Sequence, residues 1–231
     1  MNLELDEDYQ ALSDTVREFA DEVVAPVSAH HDETHTFPYE VIRQMGEMGL
    51  FGLPFPEEHG GMGGDYFALA LVLEQLGRVD QSVAITLEAG VSLGAMPVYR
   101  FGTEAQKEQW LPQLTSGQAL AAFGLTEPGA GSDAGGTRTT ARLEEGHWVV
   151  NGSKEFITNS GTDITRLVTV TAVTGQREGQ DGQTKPEIST ILVPADTPGF
   201  RAEKAYNKVG WNASDTHPPV SYTHLTLPTK A

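Results

Sequence analysis

Phe123-Gly-Leu-Thr-Glu-Pro-Gly-Ala-Gly-Ser-Asp133 is the stretch where this chain changes character. It begins inside the apolar run Ala119 to Leu125, which has the length of a buried strand. It then breaks into a loop at Pro128-Gly-Ala-Gly131. Gly129 and Gly131 let a backbone approach a ligand closely and present its N–H groups, while Ser132 adds a hydroxyl and Asp133 a carboxylate. By spacing alone the loop fits either a ligand-facing turn or an ordinary Pro-Gly connection between strands, since a lone Gly-rich loop is weak evidence for phosphate binding.

Upstream of this stretch the apolar residues recur at helical spacing. Leu5, Tyr9, Leu12, Val16, Phe19, Val23 and Val27 predict a helix over 6–29, with Pro26 ending or kinking it. His30, His31 and His35 then fall in a polar segment; their spacing is irregular, and a solvated loop is expected rather than a metal site. Pro38 suits the first turn of a helix over Tyr39–Met48, with Gly49 as its stop. The Pro- and Gly-rich run from Leu53 to Gly64 is a loop that lacks the lysine and hydroxyl of a P-loop. Asp65 caps an apolar helix to about Val79, Asp80 opens another to about Leu93, and Gly94–Arg100 adds a short third. Thr103-Glu-Ala-Gln106 is a capping-box pattern that starts a helix to Leu114, stopped by Gly117.

Downstream the period changes to two. Strands are predicted at Leu120–Thr126, Thr137–Glu144, His147–Lys154, Glu155–Asn159, Arg166–Val173, Ser189–Pro194 and Phe200–Lys204. Glu145-Gly146 and Asn151-Gly152 are tight turns, and Thr174–Pro186 is a long exposed hairpin loop. The fold class is therefore α+β and multi-domain: an all-α N-terminal domain over 1–118, then a small antiparallel β-barrel or sandwich over 119–219.

The 231 residues contain no cysteine and carry a net charge of −17. That acidity argues against nucleic acid as a partner, because phosphate contacts need clustered Lys and Arg. No apolar run of the sequence is read as long enough to span a bilayer, and the acidic opening Asn2-Leu-Glu-Leu-Asp-Glu-Asp8 is unlike a signal segment. No membrane association and a cytoplasmic location are the expectation.

Gly124-Leu-Thr-Glu-Pro-Gly-Ala-Gly-Ser-Asp-Ala-Gly-Gly136 resembles the first signature motif of the acyl-CoA dehydrogenase family, and Lys154-Glu-Phe-Ile-Thr-Asn159 resembles its second flavin-contacting strand. The resemblance extends from residue 1 to about 216. It implies an FAD flavoprotein that removes the α-proton of an acyl-CoA thioester and passes the β-hydride to flavin N5, giving a trans-2-enoyl-CoA. It also implies reoxidation by an electron-transfer flavoprotein and assembly as a homo-oligomer, typically a tetramer. Acyl-CoA oxidases and acyl-CoA-dehydrogenase-like flavin monooxygenases share the layout, and a non-catalytic flavin- or partner-binding module is a further alternative.

Carried over by position, the resemblance places Phe123 beside flavin and acyl chain, and Leu125 and Thr126 at the flavin pyrimidine edge. Gly131 and Ser132 meet the FAD pyrophosphate, and Ser132 also meets the CoA arm. Phe156 takes the place of an aromatic, often Trp, packed on the isoalloxazine. Ile157 follows it, and the Thr158 hydroxyl lies near N5. No metal is implied. Glu127 and Asp133 are not read as the base: Glu127 precedes a proline in a turn, and Asp133 can cap N–H groups of its own loop. The family's base is a Glu of a C-terminal helical domain, which this sequence is expected to lack, so no catalytic residue is assigned.

The segment 220–231 does not continue the family pattern. Val220-Ser-Tyr-Thr-His-Leu-Thr-Leu-Pro-Thr229 matches an in-frame translation of a transposase-type sequencing adapter, GTC TCT TAT ACA CAT CTG ACG CTG CCG ACG, and the adapter's next base suits a codon for Lys230. The expectation is a non-native tail on a truncated reading frame.

Overall fold

The computed structural model describes residues 4–178, 182–217 and 220–228. They form two compact units. One runs to Leu120 and includes Asn207–Asp215; the other comprises Ala121–Tyr206 with the residues from Thr216 onward.

The first unit is helical. Helix α1 (Glu7–Phe19) is capped by Asp6, whose carboxylate accepts from the Tyr9 N–H. A π-helical turn, Ala20–Val24, joins it to α2 (Ala25–Thr34). Helix α3 is Tyr39–Glu47 and α4 is Tyr66–Val79, the latter capped by Asp65 through the Ala68 N–H at 2.8 Å. Helix α5 (Gln81–Glu88) passes through a second π-helical turn, Ala89–Ala95, into α6 (Met96–Phe101). Helix α7 (Glu104–Thr115) opens on a complete capping box between Thr103 and Gln106.

Each π-helical turn stands just before a proline, Pro26 or Pro97. A proline has no N–H to give the preceding turn, and a widened turn lets the helix pass it without breaking. Two expectations are corrected by this. His30 and His31 lie on the last turns of α2 rather than in a loop, and His35 closes that helix in the left-handed conformation at φ 53°. The separate helices expected at 81–93 and 94–100 are one continuous run, Gln81–Phe101. This run is long and apolar enough, at mean hydropathy 1.2, to meet the length and composition of a membrane span, contrary to the sequence reading. Yet 67% of that window is buried within the protein, the pattern of a core helix. Phe51, Phe55, Leu76, Leu87 and Leu111 fill the centre of the unit.

The second unit is a β domain. Its strands are β1 (Leu120–Gly124), β2 (Thr140–Glu144), β3 (His147–Lys154), β4 (Ile157–Thr158), β5 (Thr165–Glu178), β6 (Thr184–Pro194), β7 (Phe200–Arg201), β8 (Thr216–His217) and β9 (Val220–Pro228). Seven of them make one curled, largely antiparallel sheet, a half-barrel in the order β1-β5-β2-β3-β9-β7, with β6 added on β5. The β2–β5 contact, Thr140 with Val173, is parallel. Strands β4 and β8 form a separate two-stranded sheet. The core gathers Ala122, Ala141, Val150, Ile157, Val168, Val170 and Val193.

Several strand expectations are revised. Asn151-Gly152, expected as a tight turn, lies inside β3 at a register shift, and the strand expected over Phe200–Lys204 is only Phe200–Arg201. The hairpin loop expected over 174–186 is mostly paired: β5 and β6 stay in register out to Glu178 and Thr184, past an irregularity between Val173 and Gly175. Residues 179–181 of that loop lie outside the described residues. The strand expected from Thr137 starts at Thr140, because the N–H groups of Arg138 and Thr139 turn back to a side chain described below. The strand expected over 155–159 shrinks to β4, since Phe156 and Asn159 have φ of 59° and 63° and cannot continue an extended chain. Val220–Pro228, read as a foreign tail, pairs with β3 and β7 as β9. Residues 229–231 are outside the described residues.

Candidate flavin site

Beneath the loop that follows β1 lies a buried ion pair. The Lys154 ammonium, at the end of β3, donates to Glu127 Oε1 at 2.7 Å, Thr171 Oγ1 at 2.9 Å and the Leu125 carbonyl at 3.2 Å. All its donors are used, and its side chain is 0% exposed against 5% for Glu127. The Glu127 carboxylate also accepts from the Arg138 N–H at 2.7 Å and the Thr139 N–H at 3.0 Å. Main-chain bonds between Glu127 and Ala130, at 3.0 and 3.1 Å, close the turn around Pro128 and Gly129. Both ends of the loop from Leu125 to Thr139 are thereby tied to this ion pair, the Leu125 end by the ammonium and the Arg138–Thr139 end by the carboxylate.

Burial pushes the Glu127 carboxyl up, but the Lys154 ammonium and the Arg138 and Thr139 amides outweigh it and hold the group below the usual glutamate range. Burial lowers the Lys154 ammonium, against the opposing pull of Glu127. Gly124 makes room for the lysine stem: a Cβ there would stand 3.1 Å from Lys154 Cγ. Beside the ion pair, the Glu155 N–H donates to the Thr126 carbonyl at 2.8 Å. The two motifs read from the sequence are therefore joined side by side by main-chain and charged contacts.

The expected site residues are distributed as follows. Phe123 and Thr126 are half-buried, and Leu125 is exposed. Gly131 and Ser132 are exposed on the loop, and a Cβ added at Gly129 or Gly131 would meet nothing within 4 Å. Asp133 lies over Gly135 and Gly136, and its carbonyl accepts from the Gly136 N–H at 3.0 Å. Phe156 is 60% exposed and stacked on Tyr206, with centroids 5.0 Å apart and planes 18° from parallel. Ile157 turns into the core, leaving its backbone for any contact at the site. Thr158 is half-buried and registers with Thr216 of β8. Thr165 holds the turn after β4, its hydroxyl donating to the Asn159 carbonyl at 2.6 Å.

This arrangement suits a large, flat, phosphate-bearing cofactor. An open Gly-rich loop adjoins an exposed aliphatic side chain, and an exposed aromatic stands on the neighbouring segment. Lys154, Glu127 and Tyr206 are not among the site residues expected from sequence. For Lys154 the signal was its place at the head of the second motif; β3 buries Val150 and Lys154, but the register slips between Val150 and Gly152, so strand alternation does not carry through to the lysine. Tyr206 lies outside both motifs and had no such signal.

The family model for the acyl-CoA dehydrogenase N-terminal domain matches residues 6–118, and that for the acyl-CoA dehydrogenase middle domain matches residues 122–221. Probable acyl-CoA dehydrogenase YngJ of Bacillus subtilis is 48% identical over 216 residues, covering 94% of this chain and 55% of that protein. Butyryl-CoA dehydrogenase from Megasphaera elsdenii superposes with a TM-score of 0.89 at 36% identity, covering 99% of this chain and 59% of the other. An acyl-CoA dehydrogenase complexed with FAD from Bacillus anthracis superposes at 0.86 with 34% identity, over 97% of this chain and 37% of the other. A helical unit followed by a β unit with two adjoining signature segments defines a class of flavoprotein oxidoreductase folds. The chain belongs to the acyl-CoA dehydrogenase family. It spans about half the length of the curated relatives it matches, 50–55%.

Proposed function

We propose that this chain forms the FAD-holding part of an acyl-CoA dehydrogenase that oxidises an acyl-CoA to its trans-2-enoyl-CoA. The observation that carries the reading is the joining of the Leu125–Ser132 loop to the Phe156–Thr158 segment through Lys154, Glu127 and Glu155. FAD, when bound, supplies the acceptor for the substrate's β-hydride. Leu125 and Thr126 would hold its pyrimidine edge, Gly131 and Ser132 its diphosphate, and Phe123 and Phe156 would pack against it. Thr158 would offer its hydroxyl near the reducible position, and Ser132 would also meet the CoA arm. The rings of Phe123 and Phe156, covering the bound cofactor, would keep water from the reacting carbons.

Neither loop carboxylate is offered as the base. Glu127 is committed to three donors, and Asp133 is folded over its own turn. The α-proton is assigned to a carboxylate outside these residues. The similarity to butyryl-CoA dehydrogenase makes short acyl chains the first substrates to try. Reoxidation by an electron-transfer flavoprotein, assembly as a homotetramer and a cytoplasmic location complete the proposal. The codon match at Val220–Thr229 supports an adapter origin for the final segment; amplification from independently prepared genomic DNA is expected to give a different sequence there.

The test is made in the protein encoded by that genomic reading frame. Butyryl-CoA is expected to bleach its bound FAD, and Thr158→Val is expected to slow this reduction more than it weakens FAD binding. A protein that binds no flavin, or whose flavin no acyl-CoA reduces, would overturn the proposal.

A further inference from the structure

Phe156 holds an unfavourable backbone conformation in an exposed place. At φ 59° it sits in the left-handed region, and 60% of its surface is open. A bulky residue adopts this region only when its surroundings enforce it. Ile157, buried in the core, anchors the chain on one side. The ring itself is met by Tyr206, in the long connection between β7 and β8.

Tyr206 is held in turn by the small sheet that carries Thr158. Its N–H donates to the Thr216 carbonyl at 3.1 Å, and Thr216 registers with Thr158 across β4 and β8. The next residue of β8, His217, is buried and bonds through Nδ1 to the Glu203 carbonyl, on the same connection as Tyr206. Burial pushes the Tyr206 phenol up, as does the Glu155 carboxylate, while the Phe156 N–H acts in the opposite sense. Residues on both sides of Phe156 thus converge on Tyr206.

We infer that Tyr206 is a positioning residue. Stacked on Phe156 and tied to the β4–β8 sheet, it holds that aromatic in the outward conformation from which it would flank the flavin. The inference rests on the flavin reading above, and its experiment separates the two.

The 231-residue chain, with Tyr206→Ala and Tyr206→Phe variants, is examined twice. Without flavin, the Phe156 ring protons should show the upfield shift of a stacked neighbour, lost in Tyr206→Ala and kept in Tyr206→Phe. With FAD added, quenching of flavin fluorescence should report affinity about 2- to 10-fold weaker for Tyr206→Ala, with rescue by Tyr206→Phe. A Phe156 shift unchanged in Tyr206→Ala overturns the positioning role. Loss of the shift with FAD affinity unchanged overturns its bearing on flavin. If the shift behaves as expected while the unaltered chain quenches no flavin, Tyr206 still positions Phe156 and the flavin reading fails.

Discussion

Lys154 and Glu127 form the contact on which the loop geometry depends. Removing one partner of a buried pair leaves the other charged and unpaired, at a cost of about 3–5 kcal/mol. Lys154→Met is therefore expected to lower the unfolding free energy by that order, read in chemical denaturation as a lower midpoint at unchanged slope. Adding Glu127→Gln should recover part of the loss. The pH dependence follows from Glu127. Its folded pKa is lowered, so its stabilisation is present above the ordinary glutamate range and fades as pH falls through the folded value. Acid titration of the melting temperature should show this loss in the unaltered chain and a flatter profile in Glu127→Gln. The sequence displayed both residues inside the motifs, yet their partnership was not legible. A carboxylate before a proline and a lysine at a strand end are ordinary surface features until the chain places them 2.7 Å apart. What the turn pattern did indicate, that Glu127 lies in a Pro-Gly turn, agrees with its main-chain bonds to Ala130.

At the level of elements, caps and stops were the most readable features, because each is settled by a few neighbouring residues. The Thr103 capping box and the Asp65 cap stand where the sequence put them. Thr103→Ala is expected to cost about 1 kcal/mol, measurable by chemical denaturation of the helical unit. Less readable were elements decided by distant contacts. The two-residue sheet of β4 and β8 owes its closeness to Gly161, where a Cβ would stand 1.9 Å from His217 Nε2. Gly161→Ala should displace the imidazole or the backbone, at about 1–3 kcal/mol for overpacking. Hydrogen exchange at Ile157 and Thr158 should report it as faster exchange than in the unaltered chain. The helical run through Pro26 misled for a similar reason. A proline reads as a break, and a widened turn that absorbs it leaves no mark on the local sequence. In the run through Pro97 the boundary expected at Gly94 falls inside the π-helical turn Ala89–Ala95.

For the molecule as a whole, the two-unit layout was visible in the change of period near residue 118, since helix and strand alternation are properties of many residues at once. The return of Asn207–Asp215 to the helical unit was not, because nothing local distinguishes it from the loops around it. The net charge of −17 sets a bulk prediction. Self-repulsion is screened by salt, so the melting temperature should rise by a few degrees, roughly 2–5 °C, from low salt to 0.5 M sodium chloride. Phe101 is 86% exposed and Leu93 44%, both on the apolar run Gln81–Phe101. Self-association of the 231-residue chain is accordingly expected, and light scattering across a concentration series would detect it.

The ammonium that braces the Gly-rich loop comes from β3, a strand formed after the loop in sequence and separated from it by β2. The motif is consequently not portable. A peptide spanning 123–139 would carry the glycines, the serine and the carboxylate, but not the buried cation that pairs with that carboxylate and holds the Leu125 carbonyl. Transplanting the loop onto a foreign scaffold would require bringing along a lysine from a second strand and, from a third, the threonine that orients it.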